Sequence, residues 1–203
     1  MDDLTPRQRR HLRTRDAILD AARQIIREEG ADNLSMRGIA ERIDYSAAGL
    51  YEYFGSKDEI ITAVCMQGEE RLYQKMINVD KSLPPLEYLV ELGLGYIDFA
   101  INNADHFKLM FASEIQPPEE MEEMFREKSS FAILVSAIQR GIDEGVFITR
   151  AGFELMDMTY LAWAIVHGIA MLRITRLSLI PYDFGVADRE VLRTTVYGLT
   201  QPL

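Results

Sequence analysis

The stretch Ser35–Glu59, SMRGIAERIDYSAAGLYEYFGSKDE, constrains this chain more than any other. Met36, Ile39, Ala40 and Ile43 recur at i, i+3, i+4 and i+7, the apolar stripe of a short helix, and Ser35 precedes it as an N-cap. The exposed face of that helix carries Arg37, Glu41 and Arg42. Asp44-Tyr45-Ser46 then reads as a turn, because Asp tolerates a left-handed or turn backbone and Ser46 can cap the next helix. That second helix, Ala47–Phe54, buries Leu50 and Phe54 at i, i+4 and turns Ala48, Gly49, Tyr51, Glu52 and Tyr53 outward. Small residues at its front let its N-terminus approach another surface closely. Gly55 stops it, and Ser56-Lys57-Asp58-Glu59 is a capping box for a third helix. Lys57 in that first turn opposes the helix dipole, which favours an anionic partner such as a phosphate beside it.

Two short helices across a tight turn, with a third opening behind them, make a DNA-reading device. Periodicity alone also fits a small helical subdomain whose tyrosines only pack. From Thr14 to Val64 the chain resembles the DNA-binding domain of the TetR family of bacterial transcriptional regulators. The resemblance rests on LSMRGIAERIDYSAAGLYEYFGSKDEII, and above all on Leu50-Tyr51-x-Tyr53-Phe54-x-Ser56-Lys57-x-Glu59. Asp44 stands where the family usually has Gly, a departure that the turn tolerates.

The 203 residues suffice for one large or two small domains, and 48% apolar content excludes a disordered chain. A net charge of −10 is unusual for a DNA binder. Residues 1–64, however, hold ten Lys and Arg against twelve Asp and Glu, so the acidity lies mostly beyond them. Arg7, Arg9, Arg10, Arg13 and Arg15 follow one another with no acid between, and a local field matters more to DNA than the total. The first 14 residues are expected to form a mobile arm, either solvated or lying along phosphates or a minor groove, before a helix Arg15–Glu29 that Gly30 ends.

The single cysteine, Cys65, excludes an internal disulfide and fits a reducing compartment. His11, His106 and His167 show no metal-ligand spacing with it, so neither a structural metal nor a cofactor is expected. The basic N-terminus lacks a following apolar stretch, and the most apolar run, Met158–Leu172, is about 15 residues and too short for a span. The protein is expected in the cytoplasm, with no membrane partner.

Helical signals continue to the C-terminus without strand alternation, so the chain is expected to be all-α. Residues 1–64 would form the arm and DNA-binding domain, and 65–203 a helical ligand-binding and dimerisation domain. Expected helices are Leu86–Ile101, His106–Ala112, a segment Glu119–Glu144 opened by Pro117-Pro118, Phe153–Leu177 and Asp188–Leu199. The helix Phe153–Leu177 is apolar nearly all round, so both sides need cover, one from its own domain and one from a second subunit. Met156, Tyr160, Trp163, His167 and Ile174 read as one side. Leu161, Ile165, Gly168 and Leu172 read as the other, which joins Val191, Thr195 and Gly198 of the last helix in a homodimer interface. Tyr160-Leu161-Ala162-Trp163-x3-His167-Gly168 resembles the Trp-His-Gly helix of one group of TetR-type C-terminal domains. Tyr96-Ile97-Asp98-Phe99 and His106-Phe107-x-Leu109-Met110 extend the likeness. The resemblance implies a C-terminal domain that binds a small molecule and dimerises as a four-helix bundle.

Aromatic and Met side chains with a few polar handles suit a mainly apolar effector. Phe99, Met110, Phe111 and Phe131 are expected to line that pocket with Tyr160, Trp163 and His167; an ordinary core explains the same pattern. For DNA, Arg37 can bond guanine with Tyr51 beside it, and Ala47 and Ala48 can touch thymine methyls. Ser46, Tyr53 and Lys57 suit phosphates. The function expected is a ligand-responsive repressor released from a palindromic operator. An all-α carrier or interaction protein without sequence-specific DNA binding is the alternative. No phosphate loop, nucleophile elbow, paired carboxylates or metal cluster argues for an enzyme.

Overall fold

The computed structural model describes residues 4–112 and 128–201. Among them the regular structure is helical: α1 Pro6–Glu29, α2 Met36–Arg42, α3 Ala47–Leu50, α4 Lys57–Ile77, α5 Pro85–Asn102, α6 Ala104–Ala112, α7 Ser130–Asp143, α8 Leu155–Ile174 and α9 Gly185–Tyr197. The chain divides into two compact units, and it passes between them within α4 and within α6. One unit holds the residues up to Gly68 and the segment from Lys108. The other begins at Glu69 and includes α5 and α7 to α9.

The first unit is organised by an apolar cluster in which Ile18, Ala22 and Ile25 of α1 meet Ile39 and Ala40 of α2, Leu50, Phe54, and Ile60 and Val64 of α4. Each comes from the apolar stripe of its helix, so burying the stripes against one another sets the packing. Gly30, at φ 88°, ends α1 in a backbone region open to glycine.

One expectation for this unit is corrected. The helix does not begin at Arg15 but at Pro6, so most of the expected arm is helix. The Gln8 amide donates to Thr5 Oγ1 at 3.3 Å, the Thr5 amide donates to Gln8 Oε1 at 2.8 Å, and Pro6 occupies the first helical position. Thr5-Pro6-Arg7-Gln8 is thus a capping box with proline at N1, a signal legible in the sequence and masked by the run of arginines.

In the second unit α5 packs against α7, α8 and α9. Gly93 marks a close approach: a Cβ there would stand 2.9 Å from Leu192 Cδ1 and 3.1 Å from Val166 Cγ1. Arg173 pairs with buried Asp188, joining the end of α8 to the start of α9. The acidic opening expected at Glu119 lies outside the described residues, and α7 itself starts at Ser130, capped by the Ser129 hydroxyl.

The two sides assigned to α8 also change. Met156, Tyr160 and Leu172 are 48%, 70% and 50% exposed, and Ala164 and Gly168 between them are exposed as well. These five follow one i+4 row, which drifts by about 40° per step around a helix of 3.6 residues per turn. The row therefore starts beside Trp163 and His167 and ends well away from them. At 20 residues α8 is also longer than the run read from the sequence, and by length and composition alone it is sufficient to cross a membrane.

Candidate functional site

In the first unit, two capped helices and a left-handed turn build the reading surface. The Gly38 amide donates to Ser35 Oγ at 3.0 Å and the Gly49 amide to Ser46 Oγ at 3.0 Å, so each serine holds the start of its helix. Asp44 takes φ 53° between them, the conformation that its short polar side chain tolerates. Gly49 has a packing reason: a Cβ there would lie 2.6 Å from the ring of Tyr45, which is laid across α3. Regular α-helix stops at Leu50, and a turn carries the chain to Phe54 through bonds from the Tyr53 and Phe54 amides to the Leu50 carbonyl at 2.9 and 3.0 Å. Behind it the Glu59 amide donates to Ser56 Oγ at 3.1 Å, while the Glu59 carboxylate accepts from the Gly55 amide at 2.6 Å.

The predicted DNA-contacting residues fall into three environments. Ala48 and Tyr51 are exposed on the outer side of the α3 turn, and Arg37 extends from α2 with its side chain 85% exposed. The Arg37 guanidinium is held by Glu41 at 2.8 Å, and that hydrogen bond raises its pKa. An exposed ion pair of this kind is worth little, so exchanging Glu41 for another acceptor costs little. Ala47 and Tyr53 are half-buried against the core, and Lys57 is half-buried in the first turn of α4. Arg42 is tied to Glu28 at 2.7 Å and Glu29 at 3.7 Å, bracing α2 on α1.

His11 and Tyr45 were not expected here. The His11 ring stacks on Tyr53 with centroids 4.5 Å apart and planes 22° apart, and Tyr45 meets Tyr53 edge-on at 6.3 Å. A hydrogen bond with Tyr53 raises the pKa of the Tyr45 phenol. The Thr5 capping box is the one sequence signal that could have extended α1 far enough to place His11 beside this turn.

In the second unit a cluster of rings lies where α5, α7 and α8 meet. The Tyr96 hydroxyl is 3.0 Å from His167 Nδ1 and accepts from Trp163 Nε1 at 3.4 Å. Phe107 stacks on His167 with centroids 5.4 Å apart, and Phe131 stands edge-on to Trp163 at 5.8 Å. Burial lowers the pKa of His167 and raises that of Tyr96 above its ordinary range, so both groups are driven to their neutral forms. The structure brings Phe131, Trp163 and His167 together and adds Tyr96 and Phe107. Phe99 is buried elsewhere on α5, Tyr160 stands on the outward row, and Met110 and Phe111 belong to the first unit. Of the residues expected at a subunit interface, Gly168, Leu172, Val191 and Gly198 are exposed, and Leu161, Ile165 and Thr195 are half-buried.

The family described as bacterial regulatory proteins, tetR family, matches residues 18–64, and the tetracyclin repressor-like C-terminal domain matches residues 89–199. The HTH-type transcriptional regulator UidR of Escherichia coli K12 is 35% identical over 78 residues, 38% of this chain and 40% of UidR. The HTH-type regulator YobS of Bacillus subtilis is 23% identical over 95 residues, 47% of this chain and 50% of YobS. The chain thus spans half or less of the length of these curated relatives. Among solved structures, a Rhodococcus protein of unknown function superposes with TM-score 0.78 at 20% identity, covering 92% of this chain and 95% of that one. GusR of Salmonella enterica superposes with TM-score 0.71 at 24% identity, covering 98% and 99%. At these identities the likeness is one of fold.

Proposed function

Since the chain belongs to the TetR family of bacterial regulatory proteins and carries its DNA-binding helix-turn-helix, we propose that it is a homodimeric repressor released from a palindromic operator by a small effector. One observation carries the DNA-reading part: a capped α2-turn-α3 unit, fixed on a buried core, leaves Arg37, Ala48 and Tyr51 exposed. In a dimer, two such heads one DNA turn apart, roughly 34–36 Å, would meet two half-sites. Residues 1–64 then read DNA, and 65–203 dimerise and bind the effector in the cytoplasm.

In this reading Arg37 bonds a guanine edge, Ala47 and Ala48 approach thymine methyls, and Tyr51 packs beside them. Ser46, Tyr53 and Lys57 hold phosphates and set register. Lys57→Ala and Tyr53→Phe are expected to weaken binding to every sequence alike. Arg37→Ala is expected to cost about 1–3 kcal/mol and relax the preference at one base pair per half-site. Selecting bound fragments from a random duplex pool with each variant separates the roles, and a changed preferred sequence for Lys57→Ala would reverse them.

The neutral ring cluster supports a mainly apolar, uncharged effector, with Tyr96, Trp163 and His167 as its polar handles. Such a ligand acts only if it favours the DNA-incompetent arrangement of the heads over the competent one. Trp163 is the one tryptophan in the chain, so its emission should change as the site fills. Hydrophobic compounds that release DNA while leaving that emission unchanged, and that still act on a Trp163→Leu, Tyr96→Leu variant, would remove the effector from this site.

The exposed row of α8 supports the homodimer. It carries Met156, Tyr160 and Leu172 around small Ala164 and Gly168, and α9 presents Val191 nearby in the chain's own C-terminal unit. We assign this row to a second copy rather than to lipid, because Met158, Val166, Ala170 and Ile174 of the same helix are buried within the chain's own C-terminal unit.

A further inference from the structure

The α1 extension has an unusual charge pattern for an ordered helix. From Leu4 to Arg15 there are five arginines, a histidine and no acid, and the first turn holds Arg7 where the helix dipole favours a carboxylate. Residues 4–13 are all exposed, so burial does not compensate the repulsion. Arg7, Arg10 and Arg13 make no ion pair among the described residues, whereas Arg9 donates to the Leu4 carbonyl at 2.6 Å. What orients this segment is the capping box at Thr5 and, one side round, the stacking of His11 on Tyr53 and of the Arg15 guanidinium over Phe54, 4.9 Å from its centroid.

That contact fixes a direction. Arg7, His11 and Arg15 are four residues apart on one face of α1, about 6 Å per step along the axis. The face that meets Tyr53 at His11 therefore continues one turn further as Arg7, with Arg10 on its flank. We propose that this end of α1 is a second phosphate-binding strip, in which Arg7, Arg10 and His11 engage the DNA backbone next to the phosphate held by Tyr53. The strip rests on the DNA-reading function and extends it beyond the helix-turn-helix. The DNA phosphates give Arg7 and Arg10, which make no ion pair among the described residues, an anionic partner. The strip also ties the position of Tyr53 to α1 through the stacked His11 ring. Reading bases is not part of its work, because contacts to phosphate position a protein without carrying sequence.

The test measures affinity against salt for wild type and for an Arg7→Ala, Arg10→Ala variant. The probes are a duplex recovered from a random pool with the wild-type protein and a mixed-sequence duplex of equal length. Each lost phosphate contact flattens the log–log salt dependence by about 0.9, so the double variant, which loses two contacts per subunit and four per dimer, should be shallower by about 3.6 on both duplexes, with its preferred sequence intact. An Arg7→Lys, Arg10→Lys variant should restore the slope, and an unchanged thermal midpoint should show the unit folded. His11→Ala and Tyr53→Ala should be less than additive, since each removes what positions the other. A variant slope equal to that of a salt-sensitive wild type overturns the strip and leaves the DNA-reading function standing. A changed preferred sequence overturns it in favour of base reading. A wild type without salt-sensitive DNA binding removes both.

Discussion

Phe54→Ala is expected to abolish DNA binding by unfolding the first unit. Its ring is 1% exposed within the cluster of Ile18, Leu50 and Ile60, with Arg15 over one face. Truncating a fully buried Phe costs about 3–5 kcal/mol, through lost transfer energy and the cavity left behind. A small helical unit has little more stability than that to lose. Phe54 is also the last residue of the turn after α3, so its loss frees Tyr51 and Tyr53 from their positions. Urea unfolding monitored by circular dichroism should show a destabilised transition, and operator affinity should disappear with it. Phe54→Leu, which keeps apolar volume, should retain much of both. Stability within about 1 kcal/mol of wild type for the Ala variant would mean that Phe54 does not hold this core.

Gly168→Glu is expected to act in the opposite way, leaving the chain folded and destroying its pairing. A Cβ at Gly168 meets nothing within 4 Å, so the substitution meets no obstacle in a single chain. In a twofold interface the same residue enters from both copies, and two buried carboxylates without partners cost several kcal/mol each. Loss of the second reading head should then weaken operator binding by about 10²–10⁴-fold, the gain that linking two sites normally brings. Sedimentation at micromolar concentration should show dimer for wild type and monomer for the variant, with equal helix content. Gly168→Ala is the control. A Glu variant that remained dimeric would place the interface elsewhere. Gly141 supplies the contrast, because a Cβ there would stand 2.1 Å from the Phe147 ring and the damage would lie within the chain.

The helix expected to run on to Phe54 stops at Leu50, but local signals in the sequence were sufficient for α2, the turn at Asp44 and the start of α3. Their caps, apolar spacing and left-handed turn all lie within a few residues of one another, so a short window contains the causes. The same holds for the end of α1 at Gly30; the signal for its start is equally local, since Thr5 and Gln8 are three residues apart, yet the expectation began the helix at Arg15. A mobile arm, solvated or lying along DNA, is the expectation there because chain termini are poorly ordered unless tied down, and the tie is a tertiary contact. The His11–Tyr53 stack joins residues 42 positions apart, and spacing along one helix contains no trace of it.

The sequence by itself determined the helical class, the DNA-reading motif and which helix is too apolar to remain uncovered, because each arises from periodicity and capping along a continuous stretch. Tertiary structure decided which side of α8 faces inward. Tyr160 and His167 lie close together on a helical wheel, yet Tyr160 is 70% exposed while His167 meets Tyr96 and Phe107. Tertiary structure likewise decided that Gly93 is a contact and not a weakness, since the bare backbone there admits Leu192 and Val166. The physical reason is common to both: a helix's own sequence fixes the angles between its side chains, but the path of the neighbouring helix across it selects which of those angles is buried.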